Sequence, residues 1–192
     1  MSAQPVPRLS PEEYLAQDRA AEYRSEYLDG ETYAMSGGTF AHAVLSGRMV
    51  TELNIALAGR NCRVANSDAR VRINERTYVY PDASVVCGKA QTEGADILLN
   101  PVVVCEVLSD STERFDRGLK FARYRRLESL QEYVLISQTA PVVEVFQRQK
   151  DASWQLREYR GLASAAQLNS LGVSIPLSSL YQDVEVSDAE AE

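Results

Sequence analysis

Hydrophobic and polar positions change their period several times along this chain, and each change marks an element. Ser10-Pro11-Glu12-Glu13 has the form of a capping box with proline at the first helical position, and it predicts a short helix. Two strand-like runs follow in RSEYLDGETYAM, and the Asp29-Gly30 pair between them predicts a hairpin. Ser36-Gly37-Gly38 breaks the chain. From about Thr39 to Ala58 the pattern is helical, with Val44, Met49, Leu53 and Leu57 near one face. The runs CRVANSDARVRI and TYVYPDASVVC, joined by Asn74-Glu75-Arg76, read as an antiparallel pair. Residues 88–100 read as a loop with room for one turn of helix. The near-continuous apolar stretch 102–108 predicts a central strand covered on both faces. A helix capped by Asp110 or Ser111 then runs to about Leu127, with Asp110 and Glu113 fitting a capping box. QEYVLIS, PVVEVFQRQ and SWQLREYR predict three more strands, the last two as a hairpin. This order implies an α/β (α+β mixed) fold, a mixed central β-sheet flanked by helices.

There is no repeat and no long linker, so residues 1–181 are expected to form a single domain. The tail 182–192 carries five acids and is expected to fray. No apolar run approaches the roughly 18 residues of a membrane span. The N-terminus lacks the basic start and apolar core of a secretory signal. The expectation is a cytoplasmic protein with no membrane partner. Three cysteines without a CxxC pair argue against structural zinc, and Cys87 and Cys105, in apolar strands, read as buried free thiols. The net charge of −7 argues against a surface coated for nucleic acid, although a local basic patch remains compatible with it.

Glu106 interrupts the 102–108 strand. A carboxylate there is costly to bury unless it is paired, protonated or bound to a cation. Asp82 lies in a second strand-like run, where alternation puts Tyr80, Asp82 and Ser84 on one face and Val79, Ala83 and Val85 on the other. If the two strands are neighbours in register, the carboxylates meet and repel. A divalent cation with oxygen ligands, Mg²⁺ or Mn²⁺, resolves the conflict. The following helix carries Arg114, Arg117, Lys120, Arg123, Arg125 and Arg126, six of the chain's 20 basic residues. Asp116, Lys120 and Tyr124 line one helical face. If that face looks toward Glu106, Lys120 can stabilise developing negative charge or orient a nucleophile.

Asp82 preceded by Pro81, with Glu106 about two dozen residues on in an apolar strand, resembles the core of the PD-(D/E)XK nucleases. SEYLDGE, YPDASVV and CEVLSDSTERFDRGLKFARY resemble more closely a bacterial family of restriction-endonuclease-like proteins abundant in cyanobacteria, over roughly residues 9–150. The resemblance implies a metal-dependent phosphodiesterase acting on nucleic acid, with DNA the first expectation. It implies Asp82 and Glu106 as metal ligands, the Val107 backbone carbonyl as a third, and Lys120 as the catalytic lysine. The strict motif wants lysine at 108, where this chain has Leu108; in the family a lysine on the next helix substitutes. Asp110 stands where the family commonly has proline. Glu26 matches a family acid that completes the metal shell, and Glu52 is its rival. Arg117, Arg123, His42 and Ser109 are the candidate substrate contacts. A homodimer would allow both strands to be cut, although no sequence feature demands one.

Plainer readings stand beside these. Asp82 fits a strand-end turn after Pro81, Glu106 fits an ion pair with Arg123, and Asp116–Lys120 fits a surface salt bridge worth ~0.3–0.5 kcal/mol. His42, the only histidine, fits a cap or packing residue. Arg70 and Arg72 share a strand face that is solvated or touches a nucleic-acid backbone. Trp154 and the tyrosines show no spacing that marks a stacking platform. The rival functions are a nuclease fold kept for binding without chemistry, and hydrolysis of a small phosphoester.

Overall fold

A computed structural model describes residues 8–35 and 38–186. In chain order the elements are α1 (Pro11–Ala20), β1 (Ser25–Leu28), β2 (Glu31–Ala34), α2 (Phe40–Ala56), β3 (Cys62–Asn66), β4 (Arg70–Asn74), β5 (Thr77–Val79), β6 (Ala83–Cys87), β7 (Thr92–Glu93), β8 (Ile97–Leu98) and β9 (Val103–Val107). A composite helix follows, α3 (Glu113–Phe115), a π-helical turn (Asp116–Lys120) and α4 (Phe121–Tyr124). Then come β10 (Glu132–Ile136), β11 (Val142–Arg148), β12 (Trp154–Arg160), β13 (Ala165–Leu168), β14 (Val173–Pro176) and α5 (Leu177–Leu180).

Two six-stranded sheets result, ordered β2-β1-β5-β4-β8-β7 and β12-β11-β10-β9-β6-β3, with β13-β14 a separate hairpin. The second sheet is the expected mixed sheet. β9 runs antiparallel to β6 and parallel to β10, so the composite helix is the crossover between two parallel strands. β9 is buried at every position. Val103, Cys105 and Val107 pack with Leu45, Met49 and Leu53 of α2. Val104 and Leu108 pack on the other face with Tyr124, Leu127 and Tyr133. That two-sided covering is why the strand's sequence lacks alternation.

Local signals are met where the chain is short-range in its chemistry. Ser10 and Glu13 close the capping box of α1. Asp29 and Gly30 both have positive φ, 52° and 104°, the conformation a two-residue hairpin turn requires. A Cβ at Gly30 would also lie 2.7 Å from the Arg8 Cβ. Thr39 caps α2 by accepting from the His42 amide.

Other expectations are corrected. The α2 core face holds Leu45 in place of Val44, which is half-buried. The antiparallel pair 62–87 bends midway: β4–β5 belong to the first sheet and β3–β6 to the second. The bend at Pro81–Asp82 breaks the alternation, so Val79 packs with Val104 and Tyr133 while Ala83 and Val85 pack against α2. The loop 88–100 contains β7 and β8. Ser109, not Asp110, serves the start of the composite helix, its Oγ accepting from the Thr112 amide at 3.2 Å. Cys87 is bonded to Cys62, its cross-strand partner, while Cys105 is a buried free thiol as expected. Of the tail, Asp183 pairs with Arg48 and Val184 and Val186 pack on the core; 187–192 lie outside the described residues. No helix among the described residues is long and apolar enough to cross a membrane.

Arg70 sits on no solvated face. It is 2% exposed, with Nη2 2.7 Å from Asp18 Oδ2 and Nη1 2.8 Å from Asp96 Oδ2. Tyr80 donates to the same Asp18 oxygen at 2.7 Å, which ties α1, β4 and the bend before Asp82 into one group. Burial works against the Asp18 charge, but bonds from Tyr80, Ser25 and Arg70 outweigh it and hold the carboxyl below its usual range. Arg70→Ala strands a buried carboxylate, so urea unfolding is expected to show a loss of about 3–5 kcal/mol. A loss below ~1 kcal/mol would mean that water enters and solvates Asp18.

Candidate active site

The site lies where the two sheets meet the composite helix, in an open cleft of about 930 Å³. The first sheet contributes Glu26 from β1. The bend between sheets contributes Asp82, and the second sheet Glu106 from β9. The register Ala83↔Cys105 of β6 and β9, carried one step further, sets Asp82 opposite Glu106. The helix contributes Asp116 and Lys120, which bracket its π-helical turn. Such turns are rare and recur at functional sites.

Lys120 is the centre of the group. Its Nζ lies 2.9 Å from Glu26 Oε1, 2.9 Å from Glu106 Oε1 and 3.5 Å from Asp116 Oδ1. It is 5% exposed, so the Asp116–Lys120 pair is buried and not a surface salt bridge. Tyr124 donates to Glu106 Oε1 at 3.2 Å, and the Tyr80 amide donates to Glu26 Oε1 at 3.0 Å. Asp82 Oδ2 accepts from the Val107 amide at 2.7 Å and lies 3.4 Å from His42 Nε2.

Charge in this group is unbalanced. Four carboxylates, Glu26, Asp82, Glu106 and Asp116, surround one ammonium and one imidazole. Burial, opposed by Lys120 and reinforced by Asp116, Asp82 and Glu26, pushes the Glu106 carboxyl well above its usual value. Burial likewise raises Asp116. Burial disfavours the Lys120 ammonium, but the charges of Glu106, Glu26 and Asp116 outweigh it and hold its pKa well up. The Asp82 carboxylate raises His42 against the cost of burial.

The structure thus brings Asp82, Glu106, Val107, Lys120, Glu26, His42 and Ser109 to one cleft. Glu52 does not line it; Glu26 is the acid that does. Arg117 and Arg123 lie off the cleft lining, Arg117 paired with Glu113 and Glu144 and Arg123 with Asp29 rather than Glu106. Arg72 pairs with Glu93. Asp116 was legible only as a helical neighbour of Lys120; its spacing carried the signal. Among the described residues no three His, Cys, Asp or Glu side chains converge as a ready-made metal cage.

The model of the Uma2 family, described as "Putative restriction endonuclease", matches residues 11–178. The chain belongs to the Uma2 family. An uncharacterised Synechocystis protein, slr1290, is 37% identical over 179 residues, covering 93% of this chain and 94% of the relative. A second, sll1609, is 34% identical over 156 residues, covering 80% and 88%. A crystal structure from Anabaena variabilis, described as "a putative nuclease belonging to DUF820", superposes with a TM-score of 0.75 at 18% identity, covering 90% of this chain and 97% of that one. At that identity the likeness shows the shared fold. Every site residue in this Uma2 chain falls within the matched span.

The raised Glu106 carboxyl has a direct consequence. Between about 4.5, its unperturbed value, and its higher folded value, the folded protein keeps a proton that the unfolded chain releases. That contribution is present at low pH and is lost as pH rises. Glu106→Gln mimics the protonated side chain. Its urea midpoint is expected to exceed the wild-type midpoint at pH 8, with the gap narrowing toward pH 5. A gap of the opposite sign at pH 8 would show that the ionised Glu106–Lys120 contact outweighs the burial cost.

Proposed function

We propose that this Uma2 protein hydrolyses phosphodiester bonds in nucleic acid, with DNA the first candidate, using Mg²⁺ or Mn²⁺ held by Asp82 and Glu106. The observation that carries this reading is Lys120, buried among three carboxylates at the floor of an open cleft beside Asp82. The donor set is all oxygen, which suits these ions, and Mg²⁺ needs only one or two protein carboxylates because it keeps several waters. The lack of a three-residue cage is therefore compatible with it. The excess negative charge that raises Glu106 is what a divalent cation would neutralise.

Asp82 and Glu106 would hold the ion, with the Val107 carbonyl and Glu26 as further donors. When bound, the ion would polarise a phosphoryl oxygen and acidify water. Lys120, fixed by Glu26 and Asp116, aims a buried ammonium at the cleft and offsets charge developing on the phosphate. His42, braced by Asp82, would donate to a phosphate oxygen, and Ser109 lines the same cleft as a further polar contact. The second reading, a nuclease fold kept for binding, draws on one observation: Lys120 already satisfies the carboxylates without any ion.

Calorimetric titration with Mn²⁺ and cleavage of a labelled DNA substrate panel separate the two. Asp82→Ala and Glu106→Ala are each expected to abolish ion binding and lower cleavage at least ~100-fold, while thermal unfolding still reports a folded chain. Removing the ion with chelator should do the same to wild type. Cleavage by Asp82→Ala at the wild-type rate would overturn the assignment; folded wild type that neither binds Mn²⁺ nor cuts any of DNA, RNA or small phosphoesters would favour the binding module.

A further inference from the structure

An aromatic pair sits directly beside the carboxylate group. Tyr33 of β2 is the cross-strand partner of Glu26, so both side chains rise from the same face of the first sheet. Phe115 immediately precedes Asp116 in the composite helix. The two rings stack with centroids 5.6 Å apart at 30°, and both line the cleft. Tyr33 is 39% exposed although it belongs to the wall of a functional cleft, and its hydroxyl is anchored to Glu31 Oε2 at 3.0 Å. β2 is an edge strand with all four residues exposed, so the ring keeps part of its surface open beside Phe115.

We propose that Tyr33 and Phe115 form a stacking wall for one unpaired nucleobase, so that the strand presented to Asp82, Glu106 and Lys120 is single-stranded at that point. The inference rests on the nuclease reading above and names its substrate form. Charge favours it. Duplex binding draws on phosphate neutralisation by Lys and Arg, yet Arg117 and Arg123 are paired off the cleft lining and the walls carry Asp110, Glu113 and Asp116. Base–aromatic stacking needs no charged partner and adds about 1–3 kcal/mol per base. It requires a base face free of its neighbours, which a duplex does not offer without unstacking. A tyrosine already held by Glu31 is ordered in advance of binding, which lowers the entropy cost.

The test uses a single-stranded oligodeoxynucleotide carrying one 2-aminopurine, its abasic counterpart, and the same base in a duplex, all with Ca²⁺ in place of Mg²⁺. Wild type is expected to quench the single-stranded fluorophore and to bind that strand about fivefold to hundredfold more tightly than the abasic strand. Tyr33→Leu and Phe115→Leu should lose the quench and fall to the abasic affinity with an unchanged unfolding midpoint, and Tyr33→Phe should retain both. Equal binding of intact and abasic strands by wild type, no binding of either, or full quenching by both leucine variants would overturn the proposal. The two readings fail separately. Strand cleavage in Mg²⁺ that ignores the abasic change sinks the stacking wall alone; intact quenching with no cleavage under Mg²⁺ or Mn²⁺ sinks the hydrolytic reading alone.

Discussion

The Lys120 ammonium is the point on which the architecture of the cleft depends. It draws Glu26 from one sheet, Glu106 from the other and Asp116 from the crossover helix to a single nitrogen. Without a cation there, three buried carboxylates from three elements would repel, and the sheets would have reason to part. One turn on, Tyr124 packs with Val104 and Leu108 on the same face of β9 and donates to Glu106, so the ionic group is continuous with the apolar core. Charge and packing are satisfied together at this junction of two sheets that share no strand.

The electrostatic character of the protein follows. The composite helix concentrates basic residues, but the structure spends the inner ones internally: Lys120 on the carboxylates, Arg117 on Glu113 and Glu144, Arg123 on the hairpin turn at Asp29. Arg114, Arg125 and Arg126 remain exposed. The cleft itself is acidic. A polyanion entering it meets little long-range attraction, so recognition has to come from contacts made at close range.

Much of this was legible in the sequence because it depended on local chemistry. The capping box at Ser10, the Asp29-Gly30 turn and the apolar run around Glu106 each act within a few residues, and each produced the element expected. Asp82 and Glu106 face one another through the β6–β9 register, a tertiary pairing that the sequence reading had to assume, since the bend at Pro81–Asp82 breaks the alternation. What escaped were features set by tertiary context. Nothing in CRVANSDARVRI announces that its two halves join different sheets. Arg70 reads as a surface residue until Asp18, 52 positions earlier, is seen to bury with it. Tyr33 shows no motif spacing, since its neighbours Glu26 and Phe115 come from a paired strand and a distant helix. The hairpin β13–β14 and α5 lack strong periodicity and take their form by packing on α2 and β11.

The Cys62–Cys87 bond closes the ribbon that carries Asp82 into a covalent ring. Topologically, the bend at Pro81 and the exposed tip at Glu75-Arg76 both lie within it. Fraying of the ribbon is then confined to excursions of a ring rather than of two free arms, and closing a loop with a sequence separation of 25 restricts the unfolded chain by about 3.5 kcal/mol. A protease that nicks the tip would leave the Asp82 strand tethered to its partner, so the cut chain keeps its register where an open ribbon would let it go.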